Sequence, residues 1–427
     1  MSRIQEGGLS APSGDYGELD GALMAWELAS FPAELLRVDA ARVQALVAAE
    51  PALAGVDVDV ARPGEPIRIT HVLDAVEPRI CPDGRPAFPT EGRAGLGRTN
   101  RLAGVAVVSC LDFPGEERPL HEQEGIIDLA GPGADVTPFG AMANVVLTFK
   151  PVAGAGHVAI DEAVRRVTLA VAELLAEPTL GAEPAGVERF ELGPPTPGLP
   201  SIAALVQLSD LGQLYIQYVY GVPAGMAGLP RAFDPAELLD GAVTCGEYHW
   251  ASMRNPTIFN QGNALVRALY HEHGKQLNFA GLVLMRGYEQ TAADKQGAAK
   301  AAARLARQLG ADGAIITTDA GGNSHTDTML TCLACERAGV RTAVIVSEQA
   351  DPTSTETGLV DWVPEADCIV SVGNSEDSVP AWAPERVLGG ELLLDGTRAR
   401  EAGPIKTQDY LGATNQMGQL DLSARTW

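Results

Sequence analysis

Apolar residues recur with a helical period in some segments of the chain and with a strand period in others. The clearest helical pattern covers 160–177, where apolar residues return every three or four positions until Pro178 ends the run. Residues 25–50 predict short helices. Apolar runs rich in valine and isoleucine predict strands at 67–80, 104–110, 144–152 and 213–222. We therefore interpret 1–177 as an N-terminal mixed α+β domain.

The next segment, 178–244, opens with a proline-rich stretch. Six prolines between 178 and 200 favour a linker or an extended crossing segment. Further along, Asp234 and Pro235 are typical of a helix N-cap and first helical position. Gly241 can end that short helix in the left-handed conformation. We interpret 178–244 as a linker and strand segment that leads to residue 245.

Short apolar strands alternate with helices from residue 278 onward. The strands are predicted at 279–286, 313–319, 341–348 and 367–374, and the helices at 291–310 and 326–338. This alternation is typical of a parallel sheet in an α/β protein. The predicted fold class is thus α/β. A C-terminal parallel sheet of the flavodoxin or Rossmann type, with helices on both faces, covers 245–427 and follows the N-terminal α+β domain.

Ligands of parallel sheets bind at the carboxyl ends of the strands. The loop GGNSHTD lies at such an end, and a helix N-terminus after a glycine-rich turn can bind an anion. An ordinary strand-to-helix turn, capped by Ser324 or Thr326, explains the same loop. The candidate substrate-binding residues at these strand ends are Gly322, Asn323, His325, Thr326, Asp327, Glu348 and Asn374.

Composition narrows the classes of function. The 427 residues include 31 basic and 55 acidic side chains, which gives a formal net charge of −24. Nucleic-acid binding needs a basic surface, as does attachment to anionic membranes, so we expect neither. The N-terminus lacks the basic and apolar regions of a signal peptide, and no apolar run reaches membrane-spanning length. We expect a cytoplasmic protein.

Six cysteines are spread along the chain, which favours a reducing compartment over a disulfide framework. Cys332 and Cys335 have the spacing of a redox pair, but they fall beyond the first turn of a predicted helix and on one apolar face. Buried, unreactive thiols are the better interpretation. No second such motif is present, so we predict no metal site.

The tripeptide Thr244–Cys245–Gly246 has a chemistry of its own. A thiol beside a peptide carbonyl can attack it and move the acyl group from nitrogen to sulfur. Elimination across Cα–Cβ of Cys245 then gives dehydroalanine, whose tautomer hydrolyses, releases ammonia and leaves a pyruvoyl group. Gly246 would permit the unusual backbone geometry that such a bond needs. A buried structural cysteine remains the alternative interpretation of these residues alone.

Several longer stretches resemble a known family. They are EGIIDLAGPGADVTPFG (124–140), DGAVTCGEYH (240–249), RNPTIFNQGNALVRALYHEHGKQLNFAGLVL (254–284), LGADGAIITTDAGGNSHTDTMLTC (309–332) and VSVGN (370–374). In content and order they resemble the alpha/beta subunit precursor of component B of glycine, sarcosine and betaine reductase. The D-proline reductase proprotein is a related pyruvoyl precursor. The resemblance covers most of the chain.

The resemblance implies cleavage before Cys245, with Thr244 supplying the scissile carbonyl and Cys245 becoming a covalent pyruvoyl group. Residues 1–244 and 245–427 would then be two subunits. A partner subunit would supply a selenocysteine or cysteine that attacks the α-carbon of a small amine or amino acid and breaks its C–N bond. Glu247 and His249 are candidate bases for the elimination. The expected assembly is a hetero-oligomer.

Two other functions remain open at this point. The chain could be an uncleaved, non-catalytic scaffold of such a complex. It could instead be a stand-alone small-molecule enzyme that uses the GGNSHTD loop for an anionic ligand. Cys245 is dispensable for activity in the stand-alone enzyme. It is essential for both cleavage and activity in the self-cleaving reductase subunit that the resemblance implies.

Overall fold

The computed structural model describes residues 25–111, 125–210, 217–246, 255–319, 321–351, 353, 358–393, 396–415 and 417. The strands of the first 244 residues and the strand that crosses position 244 are β1 (Trp26–Phe31), β2 (Leu53–Ala61), β3 (Ile67–Ile69), β4 (Val72–Val76), β5 (Arg79–Ile80), β6 (Gly97–Leu102), β7 (Val105–Leu111), β8 (Ile127–Asp128), β9 (Ala143–Pro151), β10 (Gly186–Phe190), β11 (Ser201–Ser209), β12 (Gln217–Val219), β13 (Val222–Pro223), β14 (Arg231–Phe233) and β15 (Val243–Cys245).

The strands that follow are β16 (Asn278–Gly287), β17 (Gly313–Thr317), β18 (Arg341–Glu348), β19 (Ile369–Asn374), β20 (Ser378–Trp382), β21 (Arg386–Leu388) and β22 (Gly403–Lys406). The α-helices are α1 (Ala40–Ala48), α2 (His157–Ala176), α3 (Pro235–Glu237), α4 (Thr257–Gln261), α5 (Ala264–Glu272), α6 (Ala292–Gln308) and α7 (Asn323–Arg337).

A six-stranded sheet forms the second half of the fold, with the strand order β14-β16-β11-β17-β18-β19. All of its pairings are parallel except that of β14 with β16. Helices α6 and α7 connect consecutive parallel strands, as the alternating sequence pattern predicts. Thr291 caps α6 by accepting a hydrogen bond from the backbone nitrogen of Asp294, at the predicted position.

Both faces of this sheet are covered. Along β11, Ala203 and Leu205 pack with α6 and α7, whereas Ala204 and Val206 belong to a second core that includes α5. Successive residues of a strand point to opposite faces, so a continuous apolar run serves both cores. The predicted α/β class, with a parallel sheet and helices on both faces, is confirmed.

Strand pairing crosses the predicted domain bounds. The segment 178–244 contributes β11, which lies at the centre of the sheet between β16 and β17. Polar and proline-rich flanks mark this strand as part of a connection, but pairing depends on long-range partners that local sequence does not specify. The division at residues 177 and 244 stays a prediction.

The N-terminal region is a mixed α+β arrangement. Its two four-stranded sheets have the orders β2-β9-β7-β4 and β10-β1-β6-β5. Helix α2 buries the predicted apolar face, including Val164, Val167 and Val171, in the core that it shares with the first of these sheets. The helix begins three residues before the predicted start and ends one residue before the predicted end.

The prediction of short helices throughout 25–50 is wrong for its first part. Residues 26–31 form β1, which pairs with β6 in parallel and with β10 in antiparallel orientation. The run WELASF is too short for its period to separate strand from helix, and pairing with two neighbours decides for the strand. The helical part of the prediction is confirmed at α1, where the Asp39 side chain accepts hydrogen bonds from Ala41 and Arg42 nitrogens.

The segments before and after residue 244 share one hydrophobic core. It contains residues from Trp26 to Met417 and both sides of position 244. A buried ion pair reinforces the connection: Arg68 donates to Asp128 at 2.7 and 3.0 Å and to the Ala399 carbonyl at 3.0 Å. The hydroxyl of Tyr410 also donates to Asp128, at 2.9 Å. The glycine-rich loop 125–140 therefore anchors the C-terminal part of the chain.

Candidate functional site

Cys245 ends strand β15, which pairs in antiparallel orientation with β12. Gln217 lies directly opposite Cys245, and Tyr218 lies opposite Thr244. Thr244 and Cys245 are both buried, with 5% and 1% of their surface exposed. The bond between them lies in the extended segment just after a helix end, as the sequence predicts. Because solvent is excluded from this bond, water does not weaken its electrostatic interactions with nearby polar groups.

The chain enters β15 through a wide turn that the sequence places correctly. Asp234 caps α3 with a complete capping box, Pro235 takes the first helical position, and Gly241 has a φ of +86°. An added Cβ at Gly241 would lie within contact distance of the Ala87 carbonyl, so a larger residue is excluded for two reasons. The turn therefore sets the direction in which Thr244 and Cys245 enter the core.

Buried charged groups hold this turn. The carboxylate of Asp240 accepts from Arg85 at 2.9 Å, from the Thr99 hydroxyl at 2.5 Å and from the backbone nitrogen of Gly95 at 2.8 Å. Burial raises the pKa of Asp240, and Arg85 opposes that rise. The guanidinium of Arg79 donates to the Leu239 carbonyl. The backbone four to six residues before Cys245 is thus fixed by groups from the N-terminal region.

A threonine contacts the backbone amide of Cys245, and an aspartate contacts that threonine. The backbone nitrogen of Cys245 donates to the Thr257 hydroxyl at 2.8 Å, and that hydroxyl donates to the Asp74 carboxylate at 2.6 Å. The backbone nitrogen of Thr257 donates to the other oxygen of Asp74 at 2.8 Å. All three residues are buried. The amide nitrogen of Cys245 therefore contacts a hydroxyl that is itself bound to a carboxylate.

The sequence pattern did not single out Thr257 or Asp74. Thr257 lies outside the segments that the sequence pattern predicts as helices or strands, and helix α4 begins there. Asp74 carries the one signal that was present, because an acidic residue interrupts the apolar run of β4, VLDAV. A buried carboxylate within a strand needs a polar partner, and such a residue is a functional candidate.

Gly246 is packed too closely for any side chain. An added Cβ would lie 2.6 Å from Cε2 of Tyr218 and 2.7 Å from Cδ of Arg165. Arg165 extends from α2, and its guanidinium carbon lies 4.1 Å from the centre of the Tyr218 ring. Glu247 and His249, the candidate elimination bases, lie outside the described residues, so their roles stay predictions.

A hydrogen-bond network connects β15 with the carboxyl ends of the parallel strands. Gln217, opposite Cys245, donates to the carboxylate of Asp319 at 2.9 Å. The same carboxylate accepts from the backbone nitrogen of Ser209 and from both nitrogens of Asn255. The backbone nitrogen of Asp319 donates to Gln207 at 3.0 Å. The sequence analysis did not identify these polar residues, which meet only through the folding of four segments.

The network reaches the predicted GGNSHTD loop through Gln207. Its amide donates to the Ser324 carbonyl and to the Thr328 hydroxyl, both at 3.2 Å. Helix α7 begins at Asn323 with Gly322 as N-cap, three residues before the predicted start. The expected cap by Ser324 or Thr326 is therefore wrong, because the left-handed Gly322, with a φ of +65°, ends the loop earlier.

Individual residues of this loop have different environments. Asn323 is exposed and Thr326 is half-buried, whereas His325 and Asp327 are buried. Asp327 forms an ion pair with Lys295 at 2.8 Å and accepts from the backbone nitrogen of Tyr288 at 2.9 Å. Its carboxylate is thus already bound by protein groups. The roles predicted for these residues in substrate binding stay predictions.

His325 is fully buried, and neither ring nitrogen has a hydrogen-bond partner in the described part of the chain. Burial lowers its pKa from 6.5 to about 4, and Asp361 acts weakly in the opposite direction. The imidazole is therefore neutral at pH 7. It can accept or donate one hydrogen bond without carrying charge.

Glu348 and Asn374 meet each other at the far side of the sheet. They are opposite residues of β18 and β19, the last two strands in the sheet order. The Glu348 carboxylate accepts from the Ser371 hydroxyl, and the Asn374 amide donates to the Ala350 carbonyl at 2.9 Å. These contacts connect the ends of β18 and β19. They involve none of the groups that contact Cys245.

Cys332 and Cys335 are fully buried on one face of α7, which confirms the interpretation as buried thiols. Burial raises the pKa of Cys335 to about 12 and also raises the pKa of Cys332. Thiolate formation is therefore suppressed in both. In the described ranges, no group of three or more histidine, cysteine, aspartate and glutamate side chains could hold a metal ion.

Comparison with known proteins gives a consistent picture. Residues 25–424 match the family described as glycine/sarcosine/betaine reductase component B subunits. Component B subunits alpha and beta of the glycine reductase complex from Acetoanaerobium sticklandii are 32% identical over 393 residues, which cover 87% of this chain and 90% of that protein. No solved structure matches the chain.

Two further relatives come from Peptoclostridium acidaminophilum. The sarcosine reductase complex component B subunit alpha is 34% identical over 86% of this chain and 84% of its own length. The betaine reductase complex component B subunit alpha is 30% identical over 80% of this chain and 84% of its own length. The matches define a subunit of a reductase complex. Within that class, the chain belongs to the glycine/sarcosine/betaine reductase component B family.

None of the described helices combines the length and the apolar character that crossing a bilayer requires.

Proposed function

We propose that the chain is the precursor of a pyruvoyl-dependent reductase subunit that cleaves itself between Thr244 and Cys245. The contact of the Cys245 nitrogen with Thr257 and Asp74 supports this proposal most directly. A buried backbone N–H needs an acceptor in any fold, but here the acceptor is a hydroxyl that can also give a proton and that is itself bound to a carboxylate. The names of the relatives support the reductase activity, since they belong to glycine, sarcosine and betaine reductase complexes.

The cleavage balances without an added oxidant or reductant. The Cys245 sulfur bonds to the Thr244 carbonyl carbon, the C–N bond breaks, and the thiol proton moves to the nitrogen. Removal of the Cys245 Cα proton then expels the sulfur with Thr244 as a thiocarboxylate and leaves dehydroalanine. The tautomer of dehydroalanine takes up water and releases ammonia, which leaves a pyruvoyl group at residue 245.

Thr257 and Asp74 have a defined role in the first step. The nitrogen must accept a proton before it can leave. The Thr257 hydroxyl accepts from the Cys245 N–H at 2.8 Å and directs its own proton to Asp74, so it would turn that proton from Asp74 to the nitrogen once attack by the sulfur gives the nitrogen a free electron pair. Asp74 accepts the hydroxyl proton of Thr257 at 2.6 Å and fixes that hydroxyl through a second bond to its backbone nitrogen. Thr257 thus contacts a reacting atom, and Asp74 acts through Thr257.

The surroundings of residue 245 fit the group that would form there. The Thr257 hydroxyl now accepts from an amide nitrogen, and a hydroxyl can equally donate to a ketone oxygen in the same position. Once formed, the pyruvoyl ketone would supply a carbonyl that activates the nitrogen of a substrate as a leaving group. Gln217 and the wide turn at Gly241 would hold the surrounding backbone in place.

The nucleophile would come from another subunit of the complex. Among the described cysteines, Cys368 alone is exposed and the other five are buried. A selenolate or thiolate of a partner would form a bond to the substrate α-carbon while the C–N bond breaks and nitrogen leaves with the electron pair. The word "complex" in the relatives' names supports a hetero-oligomer.

The two products of cleavage would remain one folded unit. Strand β11, from the first product, pairs with β16 and β17 from the second. Strand β3 likewise pairs with β21, and the buried Arg68–Asp128 pair contacts the Ala399 carbonyl. Each product would lose its core if they separated, so we expect co-purification under native conditions.

Intact mass spectrometry of the denatured protein tests the proposal. We expect two chains that divide before residue 245. Compared with a 245–427 chain that begins with an unmodified cysteine, the second chain should lack the elements of H2S and NH3 and contain those of one added water. It should also react with hydrazine. The Cys245→Ala variant should stay intact, whereas Cys335→Ala, a control at another buried cysteine, should be cleaved.

A wild-type chain that remains intact in the presence of its reductase partners would refute self-cleavage and leave the uncleaved scaffold. Cleavage of Cys245→Ala would refute the role of the thiol. Reductase activity of Cys245→Ser without any partner or cleavage would support the stand-alone enzyme instead.

A further inference from the structure

Arg165 is a partly buried cation that pairs with no acidic side chain among the residues the structure describes. It lies on α2, and its Nε atom is inaccessible to solvent and has no hydrogen-bond partner. Its one recorded partner within the described ranges is the ring of Tyr218, 4.1 Å from the guanidinium carbon. Stacking on a ring leaves the N–H groups at the edge of the guanidinium directed away from the ring and available to a ligand.

Most other buried or half-buried arginines in the described ranges have acidic partners; Arg98, whose Nε is also unpartnered, is an exception. Arg79 pairs with Glu77 at 2.7 Å, and Arg85 pairs with Asp240 at 2.9 Å. Even Arg166, the exposed neighbour of Arg165, contacts Glu50 at 2.8 Å. The chain has 55 acidic residues for 31 basic ones, so anions are plentiful. A half-buried guanidinium with a buried, unpartnered Nε that pairs with none of the described acids indicates a place for an external anion.

Its location connects Arg165 with the processed residue. Gly246 directly follows Cys245, and an added Cβ there would lie 2.7 Å from Cδ of Arg165. The arginine side chain therefore packs against the backbone one residue from the proposed pyruvoyl position. Glycine at 246 permits this close approach, because any side chain would displace Arg165 or Tyr218.

We propose that Arg165 binds the carboxylate of the amino acid substrate. This inference rests on the proposed function. The complexes of the relatives are named for glycine, sarcosine and betaine, whose nitrogens carry no, one and three methyl groups. Their shared feature is a carboxylate one carbon away from the nitrogen. A guanidinium binds a carboxylate with two parallel hydrogen bonds, so it would fix the α-carbon while the nitrogen varies.

This arrangement assigns the two ends of the substrate to different groups. Arg165 holds the carboxylate, and the nitrogen points toward residue 245. The α-carbon between them stays open to the attacking selenolate or thiolate. Simple amines such as methylamine lack the carboxylate and should bind poorly, although their nitrogen is equally able to react.

Binding and processing can be measured on the same samples of the purified full-length protein. Isothermal titration uses glycine, sarcosine, betaine, acetate and methylamine as probes, and intact mass reports cleavage. For wild type we expect binding of every probe with a carboxylate and none of methylamine. Arg165→Gln should weaken the binding of these probes about 10- to 100-fold, the loss that a charge-assisted hydrogen bond predicts. Arg166→Gln on the same helix is the matched control and should bind as wild type does.

The outcomes separate this inference from the proposed function. Equal binding by Arg165→Gln and wild type, or binding of methylamine as tight as that of glycine, would overturn the carboxylate site whether or not the chain is cleaved. An uncleaved wild type that binds acetate through Arg165 would refute the pyruvoyl and retain the site. If Arg165→Gln fails to fold, Arg165→Lys keeps the charge, and the comparison of acetate with methylamine on wild type decides.

Discussion

Replacement of Thr257 by valine removes one hydroxyl at the scissile amide and keeps the shape of the side chain. Two hydrogen bonds disappear: the one from the Cys245 nitrogen, at 2.8 Å, and the one to Asp74, at 2.6 Å. Each loss removes a hydrogen bond from a buried polar group, which costs about 1–3 kcal/mol. Thr257→Val should therefore lower the free energy of unfolding by about 2–6 kcal/mol.

The effect on cleavage should be larger and should depend on the hydroxyl. Loss of a positioned proton donor slows such steps about 100-fold or more. Thr257→Ser keeps the oxygen and should be cleaved at close to the wild-type rate. Asp74→Asn presents an amide to Thr257, which reverses the direction of that hydrogen bond, and it should slow cleavage while the fold is kept.

Cell-free synthesis starts every chain at a known time, so the cleaved fraction can be followed by intact mass from translation onward. The double variant Thr257→Val/Cys245→Ala separates stability from chemistry, since its unfolding in urea is measured on an intact chain. Cleavage of a folded Thr257→Val chain at the wild-type rate would refute the role of the hydroxyl. Equal slowing in Thr257→Ser, which keeps the hydroxyl, would show that the hydroxyl alone does not control the reaction.

Three further results are expected. His325 has a pKa near 4 in the fold, so between about pH 4 and 6.5 the unfolded chain binds one more proton than the folded chain. The free energy of unfolding should therefore fall by up to about 3 kcal/mol as the pH drops through this window. Urea titrations at several pH values should show this contribution in wild type and not in His325→Gln. Asp128→Asn leaves Arg68 buried without a charge partner and should lower the free energy of unfolding in urea by about 3–5 kcal/mol. Glu177→Gln removes the exposed pair with Arg42 and should lower it by no more than about 1 kcal/mol. Equal losses in the two variants would contradict this reasoning. Gly246→Ala should slow cleavage on the same time course, because its Cβ needs space that Tyr218 and Arg165 occupy; an unchanged rate would show that this packing can relax.

Local pattern was enough for elements whose own sequence carries the signal. Helix α6 begins after the predicted cap Thr291, and the turn before the scissile bond uses Asp234, Pro235 and Gly241 as predicted. Caps and left-handed glycines act over a few residues, so the residues that determine them are neighbours in the sequence and can be recognised there. Strand β1 was misread because its six residues acquire their state from pairing with two distant strands.

The candidate site was predictable to a smaller extent. Cys245 could be singled out because its chemistry needs only itself and the preceding carbonyl. Its surroundings could not be identified, since Asp74 and Thr257 lie 183 residues apart along the chain and meet through two hydrogen bonds. Arg165 comes from a third segment, on a helix whose pattern signals only an apolar face.

By itself, the sequence determined the parallel α/β class, the extended conformation around residue 245 and membership in a family whose segments it reproduces in order. These properties depend on periodicity, short-range capping and the identity of residues, which are all local. The tertiary structure alone decided that β11 lies at the centre of the sheet, that the amide of Cys245 contacts Thr257, and that Arg165 packs beside Gly246. Such contacts follow from burial and pairing between distant segments, whose energies no short stretch of sequence contains.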